Sequence, residues 1–453
     1  MTSVKVLSTP ARWPRLLLPD APPAKPADLD AAVKAGAWAS FTKAVEEMGV
    51  AATIEAVARS GLRGRGGSGF PTGEKWRACA LAEADRRQTD RQGGSVVVVN
   101  AYQSDPAVFS DRVLLETNPY AVLEGAAIAA YAVGAAEIVV AVRAEATDAI
   151  HVMEAAIAAA EKRGFLGVDI LGKTLEITAS VKPLQGSYML GEETVLLKGI
   201  EGKRGQPDQQ PPYPTTRGLY GLPTLIHHPQ TFAAIPTIVG RGPGAYASIG
   251  SKASPGTTLV QLSGSVGRPG VAEVPMGTTL SDIVELAGGV PAPHQLKALL
   301  VGGPSGGILP AEALGIAYEY DALEQAGAHI GSGSIVVIDE RSCVVDLAAV
   351  LTRFCADEAC GKTIPCRIGL RRMAEIGARF CDGQPRGDEL TRLTDLSADI
   401  VASGLCDHER RATLPLLSIA RYFRDELDAH IVRYSCPAGV CQSLARPRAG
   451  VVS

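Results

Sequence analysis

A glycine-rich segment, residues 61–76, constrains the fold of this 453-residue chain more than any other feature of its sequence. Five of the nine residues at positions 61–69 are glycine, so the backbone there can adopt left-handed conformations and approach a ligand closely. Successive exposed N–H groups in such a turn form a nest that binds anions. Arg63, Arg65 and Lys75 add positive charge, although the spacing matches neither a dinucleotide fingerprint nor a P-loop. The segment therefore predicts a phosphate-binding cradle rather than a flexible linker.

The sequence around this segment alternates apolar strands with alanine-rich helices, which is typical of an α/β layer architecture. We expect an α/β domain at residues 51–245, preceded at residues 1–50 by an exposed arm and one helix. The predicted elements are the N-terminal helix Ala31–Met48, the strands Val96–Asn100 and Glu137–Val142, and the helix Leu123–Val133.

The pattern changes after residue 245. Short strands separated by glycine and proline turns predict a small α+β module at residues 246–338. Its predicted elements are the strands Thr258–Gly264, Gly270–Pro275 and Ser334–Asp339, and the helix Leu280–Ala287.

Helical patterns dominate the last part of the chain and predict a bundle at residues 339–442, followed by a tail at 443–453. The predicted helices are Val345–Phe354, Cys366–Phe380, Asp388–Ser403 and Leu414–Arg433. Six of the nine cysteines lie between Cys343 and Cys406. Clustered cysteines in a chain of this length indicate a metal or iron–sulfur site rather than a secreted disulfide framework.

Charge and hydropathy exclude several classes of partner. A formal net charge of -4 implies no general attraction to nucleic acid or to an anionic membrane. No apolar run approaches the roughly 20 residues of a membrane span, and the N-terminus lacks a signal-peptide core. We therefore expect a cytoplasmic protein with no direct membrane span, free or peripheral to the inner face of a membrane complex, and no nucleic-acid partner.

Three further blocks follow the glycine segment in a fixed order, namely Asn100–Pro106, Tyr188–Thr194 and Pro223–Thr231. Together with residues 61–76 they resemble the NADH-binding flavoprotein subunit of respiratory complex I and its relatives in NAD-linked hydrogenases and formate dehydrogenases. The resemblance covers roughly residues 40–442. It implies an α/β flavin-binding domain, followed by a small β-grasp-like α+β module and a C-terminal helical bundle.

The resemblance also implies the cofactors FMN and NAD(H) or NADP(H). By this resemblance, the glycine loop and Lys75 would hold the flavin phosphate. Asn100 would face the edge of the flavin ring, and Phe70 would stack on the adenine of the nucleotide. The residues carried over as the cofactor-binding set are Gly64, Arg65, Gly66, Gly67, Phe70, Lys75, Asn100, Gln103, Tyr188, Gly191, Glu192, Glu193, His227 and His228.

This chain departs from the family pattern at several ligand positions. Tyr102 and Gln103 stand where the family carries an acidic pair, and His227 and His228 stand where it carries two asparagines. Ala78 replaces an aromatic residue that helps to enclose the adenine. The departures keep two hypotheses open: an active electron-input subunit, or a diverged paralogue that binds flavin or serves as a structural subunit of a redox complex.

The family's iron–sulfur motif is incomplete here. Cys360, Cys366 and Cys406 match three of the four cysteines that hold a [4Fe–4S] cluster, but Thr363 occupies the position of the remaining one. Three outcomes follow: a cluster with an oxygen or other ligand on its fourth iron, a three-iron cluster, or no cluster. A site of four cysteines would require Cys355 or Cys381 to move into it.

A second group of metal-ligating residues lies at the C-terminus. His430 precedes the Cys436-Pro-Ala-Gly-Val-Cys441 segment, which is similar to that of the hydrogenase- and formate-dehydrogenase-type members. Two cysteines and a histidine at short spacing suit tetrahedral zinc, with Cys343 as the fourth ligand. A disulfide, or the remnant of a fused ferredoxin domain, is the alternative interpretation.

The function implied by the resemblance is electron input to a multi-subunit oxidoreductase. Hydride passes between NAD(P)H and FMN, and single electrons pass to or from an iron–sulfur centre. The expected partners are a thioredoxin-like [2Fe–2S] subunit and a further redox subunit of the hydrogenase, formate dehydrogenase or quinone-reducing type.

Overall fold

The computed structural model describes residues 4–89 and 94–445 of the chain. These residues divide into two compact units. The first contains the chain up to Gln261 together with Val271–Thr278, and the second contains Leu262–Gly270 together with the chain from Thr279 onward.

The elements up to residue 278 are helices α1 (Leu29–Lys34), α2 (Ala39–Lys43), α3 (Gly49–Arg59), α4 (Thr72–Thr89), α5 (Ser110–Thr117), α6 (Pro119–Val133), α7 (Thr147–Arg163), α8 (Glu193–Ile200), α9 (Pro229–Arg241) and α10 (Pro243–Ala247), and strands β1 (Ser95–Ala101), β2 (Ala135–Arg143), β3 (Thr178–Leu184), β4 (Thr224–His227), β5 (Thr257–Gly264) and β6 (Gly270–Pro275). A π-helical stretch, Ala44–Met48, joins α2 to α3, and 3-10 turns lie at Ile170–Gly172, Tyr188–Gly191 and Leu219–Gly221.

A parallel sheet with the strand order β3-β2-β1-β4 forms the centre of the first unit. Every residue of β1 is buried, as expected for a parallel strand covered by helices on both faces. The carboxyl ends of β1 and β4 carry Asn100 and His227, and Val99 pairs with His227 across the two strands. Because ligands of open α/β sheets bind at this edge, the register brings two of the predicted site residues to the expected place.

The elements after residue 278 are helices α11 (Leu280–Leu286), α12 (Tyr320–Gln325), α13 (Val344–Asp357), α14 (Leu370–Asp382), α15 (Glu389–Ser403), α16 (Asp407–Arg411), α17 (Leu414–Tyr422), α18 (Arg424–Ile431) and α19 (Gln442–Ala445), and strands β7 (Leu296–Val301), β8 (Gly307–Pro310) and β9 (Ser334–Asp339). A 3-10 turn lies at Ala311–Gly315 and a π-helical turn at Pro365–Gly369.

In the second unit, β7 pairs antiparallel with both β8 and β9. One core contains apolar residues of these strands together with those of α13, α14 and α17, among them Leu300, Ile308 and Leu416. The backbone N–H of Ile308 also donates a hydrogen bond of 3.1 Å to the hydroxyl of Ser418 on α17. An α/β domain, a small strand-containing module and C-terminal helices are all present, which confirms the predicted fold class.

Two predicted helices prove to be interrupted. The single helix predicted at Ala31–Met48 is wrong, because the chain turns between α1 and α2, where Gly36 and Trp38 have positive φ angles of 104° and 69°. This turn buries the Trp38 ring, which stacks on Phe165 at 4.9 Å between ring centroids. The helix predicted at Leu414–Arg433 is likewise two helices, α17 and α18, which meet at Phe423.

Among the described residues, no helix combines the length and the apolar character that crossing a membrane would require.

A buried carboxylate anchors the N-terminal segment to the first unit. Glu273, on β6, is 1% exposed and accepts hydrogen bonds from the N–H groups of Leu16, Leu17 and Leu18 at 2.6, 3.0 and 2.9 Å. The hydroxyl of Thr257 donates a further bond of 2.5 Å. Four donors therefore depend on one side chain.

Replacing Glu273 with alanine should lower the free energy of unfolding of the first unit by about 2–3 kcal/mol, because buried N–H groups lose their acceptor. All three tryptophans (Trp13, Trp38 and Trp76) lie in this unit, so tryptophan fluorescence during urea unfolding measures the change. Glu145, whose side chain is 57% exposed, supplies the control variant Glu145→Ala, with an expected effect below about 0.5 kcal/mol. Equal effects of the two substitutions would contradict the anchoring role.

Candidate functional site

The glycine segment forms a closed loop at the start of α4. The N–H of Gly64 donates to the carbonyl of Phe70 at 2.8 Å, and Gly67 and Gly69 take positive φ angles of 102° and 65°. The loop leads directly into an 18-residue helix, whose first N–H groups lack intrahelical partners. Because the helix dipole also favours negative charge at this end, the loop and helix together can hold a phosphate.

Arg65 has a different environment from the one that the sequence suggested. Its side chain is 4% exposed, and its guanidinium donates to the carbonyl groups of Arg63, Pro255 and Thr257 at 2.9, 2.5 and 3.1 Å. Its backbone N–H donates to the hydroxyl of Thr231. The structure thus directs this positive charge toward carbonyl groups inside the protein, and a direct contact between Arg65 and a cofactor stays a prediction.

Lys75, in the first turn of α4, forms an ion pair of 2.9 Å with Glu193 at the start of α8. Gln210 donates a second hydrogen bond to the Glu193 carboxylate at 3.2 Å. Burial raises the pKa of Glu193, but the charge and hydrogen bond of Lys75 outweigh burial, so the net pKa lies below its usual value. The arrangement keeps Glu193 ionised beside the glycine loop.

The loop packs closely on His228. A Cβ atom added at Gly66 would lie 2.7 Å from Cδ2 of His228, so only glycine fits without a shift. The Nδ1 atom of His228 lies 2.8 Å from the carboxylate of Asp111, which is 1% exposed. Gln230 donates to the other oxygen of Asp111 at 2.8 Å and accepts a bond from the N–H of Leu259 at 2.9 Å.

His227 is a neutral acceptor in the core. Its Nε2 atom accepts a hydrogen bond of 3.1 Å from the indole N–H of Trp76, on α4. Burial lowers the pKa of His227 well below its usual value, and the positive charge of Lys75 adds to this effect. The side chain therefore joins β4 to the helix that follows the glycine loop.

The end of β1 is tied to the segment before α8. The side-chain amide of Asn100 donates to the carbonyl of Gly191 at 2.9 Å, and the Tyr102 hydroxyl donates to the carbonyl of Gly186 at 2.6 Å. The Tyr102 ring is fully buried, with the guanidinium of Arg143 5.5 Å from its centroid. Gln103, with a positive φ of 45°, lies against the first residues of α5.

Glu192 has a structural task. Its carboxylate is the N-cap of α8 and accepts bonds from the N–H groups of Thr194 and Val195 at 3.0 and 2.9 Å and from the Thr194 hydroxyl at 2.6 Å. Burial raises the pKa of Glu192, while these donors act in the opposite direction. The acidic pair Glu192–Glu193 thus divides its roles: the first carboxylate starts the helix, and the second faces Lys75.

The second unit brings together the four residues predicted as zinc ligands. The ligand atoms of Cys343, His430, Cys436 and Cys441 all lie within 4.8 Å of one another. The Nε2 atom of His430 is 3.4 Å from the Cys343 sulfur and 3.5 Å from that of Cys441, and the two sulfurs are 3.8 Å apart. All nine cysteines, each within the described residues, are free thiols, so Cys436 and Cys441 do not form a disulfide.

Two of the three cysteines of the incomplete iron–sulfur motif, Cys360 and Cys366, lie at the π-helical turn. The Cys366 sulfur accepts a bond of 3.3 Å from the N–H of Gly361. Hydrogen bonding from the Cys366 thiol lowers the pKa of Cys360 to about 6. Cys406 is buried and occupies the N-cap position of α16.

Comparisons with known proteins agree with this geometry. Residues 57–237 match the Nuo51 FMN-binding domain, residues 259–309 the SLBB domain, and residues 346–430 the iron-sulfur binding region of NADH-ubiquinone oxidoreductase-F. The F 2 subunit of the NADH-quinone oxidoreductase of Rhizobium meliloti is 38% identical over 403 residues, which cover 89% of this chain and 94% of that protein. The chain belongs to the family of NADH-quinone oxidoreductase F subunits. The family resemblance of its motifs is confirmed.

Hydrogenase proteins are also similar to this F-subunit homologue. The HndC subunit of the NADP-reducing hydrogenase of Solidesulfovibrio fructosivorans is 40% identical over 395 residues, covering 87% of this chain and 79% of that protein. Crystal structures of an NAD+-reducing [NiFe]-hydrogenase match in the air-oxidized state with a TM-score of 0.77 at 31% identity, and in the H2-reduced state with 0.74 at 33%. This chain, matched over 89% and 84% of its own length, spans 66% and 62% of those hydrogenase chains.

The predicted cofactor set of this F-subunit homologue comes from four segments. The Lys75–Glu193 and Asn100–Gly191 bonds and the packing of Gly66 on His228 join these segments at the carboxyl edge of the parallel sheet. Phe70, 51% exposed, and Tyr188, in the turn before α8, belong to the same segments. The matched regions agree with the predicted FMN and iron–sulfur cofactors, whereas the individual ligand residues stay predictions.

Sequence reasoning did not assign a role to Asp111 or Trp76, which hold His228 and His227 in place. A signal for Asp111 was available: an aspartate on a helix face whose neighbours Val113, Leu114 and Leu115 are all apolar. A carboxylate in such a position requires a buried hydrogen-bond partner.

The neutral state of His227 predicts a pH-dependent stability. Below about pH 6.5 the unfolded chain binds a proton that folded His227 does not bind, so stability falls as the pH falls. Relative to the variant His227→Asn, the natural protein should lose about 1.4 kcal/mol more per pH unit between pH 6 and 5. Urea unfolding followed by tryptophan fluorescence measures this difference.

The exposed residue His151 supplies the control, because His151→Asn makes the same substitution at the surface of the protein. It should show the same pH slope as the natural protein. The measured quantity is the slope of the free energy of unfolding against pH. A loss of stability in His227→Asn that is the same at every pH leaves this slope unchanged. Parallel pH curves for His227→Asn and the natural protein would contradict a buried neutral His227.

Proposed function

We propose that this chain is the electron-input subunit of a multi-subunit oxidoreductase. It would transfer hydride between NAD(P)H and FMN and single electrons to or from an iron–sulfur centre. The observation that carries the proposal is the glycine cradle at the start of α4, joined through the Lys75–Glu193 ion pair to the start of α8. It lies within the region that matches the Nuo51 FMN-binding domain.

The cradle suits the phosphate of FMN. Gly67 and Gly69 take positive φ angles, which glycine adopts without strain, and the space at Gly66 is too narrow for a Cβ. We assign Gly64, Gly66, Gly67 and Lys75 to the phosphate and Asn100 to the flavin ring. Bound FMN supplies the chemistry of accepting two electrons as a hydride and releasing them one at a time.

The protein's part is to bind and orient the two partners of the hydride transfer. Phe70 presents an exposed ring on which an adenine can stack. Because Glu192 is engaged as a helix cap, we assign contact with the nicotinamide nucleotide to Glu193, whose ionised carboxylate can accept hydrogen bonds from hydroxyl or amide groups. Ala78 lines an open cavity of about 520 Å³ beside α4, together with Arg86 and Pro223.

The partners follow from the same family. The matched relatives carry names of subunits of NADH-quinone oxidoreductases and of an NADP-reducing hydrogenase. We therefore propose that this chain assembles with a thioredoxin-like [2Fe–2S] subunit and a further redox subunit of the hydrogenase, formate dehydrogenase or quinone-reducing type. Because no described helix can span a membrane, attachment to a membrane complex would be peripheral.

The first test is anaerobic titration of the FMN-loaded chain with NADH and, separately, with NADPH. Prompt loss of the oxidised-flavin absorbance with either nucleotide is the expected result. A bound flavin that stays oxidised with both would refute hydride transfer and favour a diverged flavin-binding or structural paralogue.

The variant Gly66→Ala tests the cradle. Its Cβ would displace His228, so we expect FMN to bind about tenfold more weakly, equivalent to roughly 1.4 kcal/mol. The control Gly244→Ala introduces a Cβ that meets no atom within 4 Å and should bind FMN as the natural protein does. Fluorescence titration with FMN measures the affinity of both variants. An unchanged affinity in Gly66→Ala would show that the cradle does not bind FMN.

We further propose a structural zinc ion held by Cys343, His430, Cys436 and Cys441. The separations of 3.4 to 3.8 Å among the ligand atoms of Cys343, His430 and Cys441 are close to the edges of a tetrahedron with Zn–N and Zn–S bonds of about 2.0 and 2.3 Å. The sulfur of Cys436 lies within 4.8 Å of all three. His430 donates its other ring N–H to the carbonyl of Glu426 at 2.8 Å, which fixes the tautomer that leaves Nε2 free to bind a metal.

Elemental analysis of the purified chain should find about one zinc, and Cys441→Ser should lose most of it because a three-ligand site binds zinc weakly. Cys79→Ala removes a buried cysteine in the other unit and should retain the metal. Cobalt substitution provides an optical check, since thiolate ligands give Co²⁺ intense charge-transfer bands. The same zinc content in Cys441→Ser and the natural protein would refute the site.

A further inference from the structure

A buried carboxylate lies at the place where the iron–sulfur motif lacks a cysteine. Glu409, on α16, is fully buried, and its Oε1 atom accepts a hydrogen bond of 2.7 Å from the hydroxyl of Thr363. Its Oε2 atom accepts a bond of 2.9 Å from the N–H of Leu405, the residue before Cys406. Glu409 therefore bridges the position of the missing ligand and the distant third cysteine.

Thr363 is oriented toward this carboxylate by a second hydrogen bond. Its Oγ1 atom accepts a bond of 3.3 Å from the N–H of Cys366, and its proton is therefore available to Glu409. The Glu409 oxygen thus lies one hydrogen-bond length from the side chain that replaces the cysteine. Because a glutamate side chain has three rotatable bonds, a small movement can exchange the Thr363 hydroxyl for a metal ion.

Glu409 lacks the partner that a buried carboxylate normally has. Its hydrogen bonds from Thr363 and Leu405 come from neutral donors, and within residues 4–89 and 94–445 no lysine, arginine or histidine forms an ion pair with it. Burial of an unpaired carboxylate is costly, and buried charges in proteins are usually paired or bound to metal. A cation is therefore expected at this carboxylate in the functional protein.

The chemistry of the candidate ligands favours the carboxylate over the hydroxyl. A threonine hydroxyl is neutral and would have to lose a proton of very high pKa before it could replace a thiolate. A glutamate offers a carboxylate oxygen instead, and carboxylates are common ligands of protein-bound iron. Three thiolates and one carboxylate also carry the same total charge as the four thiolates of the complete motif.

We propose that Glu409 supplies the fourth ligand of the iron–sulfur cluster, beside Cys360, Cys366 and Cys406, and that Thr363 is a positioning residue for its carboxylate. The inference rests on the proposed function in one respect, namely that a cluster is present. It explains how this chain can keep a cubane cluster with an incomplete set of cysteines.

The test compares four forms of the full chain, purified anaerobically: the natural protein, Glu409→Gln, Thr363→Cys, and the double variant Thr363→Cys/Glu409→Gln. The readouts are iron and sulfide content, the Mössbauer spectrum of ⁵⁷Fe-labelled protein and the EPR spectrum. The natural protein should contain about four irons per chain, one of them with Mössbauer parameters distinct from those of the thiolate-bound irons.

Glu409→Gln should lose about one iron of four, or the whole cluster, because the amide is a neutral and weaker ligand. A three-iron cluster would be recognised by its EPR signal in the oxidised state. In the presence of Thr363→Cys the same glutamine substitution should have no effect, because the cysteine completes the thiolate set. This rescue separates loss of a ligand from a general failure to fold.

Asp407→Asn is the matched control. It removes a carboxylate next to Cys406 that is 60% exposed and pairs with Arg410 and Arg411, so the iron content should not change. A natural protein and a Glu409→Gln variant with the same iron content and the same Mössbauer spectrum would overturn the inference. The inference would also be overturned if the single variant Thr363→Cys contained iron and the natural protein contained none.

If the proposed function itself is wrong, the iron analysis gives a different result from the one expected when only the role of Glu409 is wrong. No iron in any of the four forms, including Thr363→Cys, would overturn the cluster itself and, with it, the role of Glu409. The NADH titration of the flavin and the FMN affinity of Gly66→Ala are independent of these readouts, so the flavin and cluster proposals can fail separately.

Discussion

The buried carboxylate of Asp111 holds together the part of the first unit on which the candidate flavin site depends. It connects α5 to His228 and to Gln230 on α9, and Gln230 continues the network to β5. His228 in turn sets the surface against which Gly66 packs. The shape of the glycine cradle is thus determined by a charged hydrogen-bond network beneath it. Such networks are rigid when every member is satisfied, which suits a site that has to bind a phosphate without reorganising.

The unusual residues of this chain at family ligand positions are integrated into the fold. Tyr102 donates to a carbonyl of the segment before α8, and His227 accepts from Trp76. In each side chain the polar atom forms a hydrogen bond within the protein, and the ring is buried in the core. The substitutions therefore change the charge and shape next to the site while the framework that positions the glycine loop, Asn100 and Glu193 is retained. A framework of this kind is compatible with an altered preference for cofactor or redox partner.

In the second unit, the surrounding fold likewise holds both groups of cysteines in place. The π-helical turn at Pro365–Gly369 holds Cys366 near Cys360, and Thr363 caps the turn through the N–H of Cys366 while it contacts Glu409. A π-helical turn accommodates an additional residue in a helix and is frequent at functional sites. The four residues of the proposed zinc site, in contrast, come from the start of α13, the end of α18 and the loop before α19. Each group combines ligands that are distant in sequence with a short local motif.

The sequence by itself determined the α/β architecture, the order of the modules and the motif blocks, because hydrophobic periodicity and glycine spacing are local properties of the chain. It also identified Cys343, His430, Cys436 and Cys441 as one group, since their side-chain chemistry restricts what they can bind. The interruption of the N-terminal helix at Trp38, the burial of Arg65 and the use of Glu192 as a helix cap were decided by the tertiary structure. The pairing of Glu409 with Thr363 belongs to the same class, because 46 residues separate the two and no local pattern relates them. Whether a polar side chain faces a ligand or its own protein depends on which backbone groups packing leaves without partners, and only the complete fold specifies those groups.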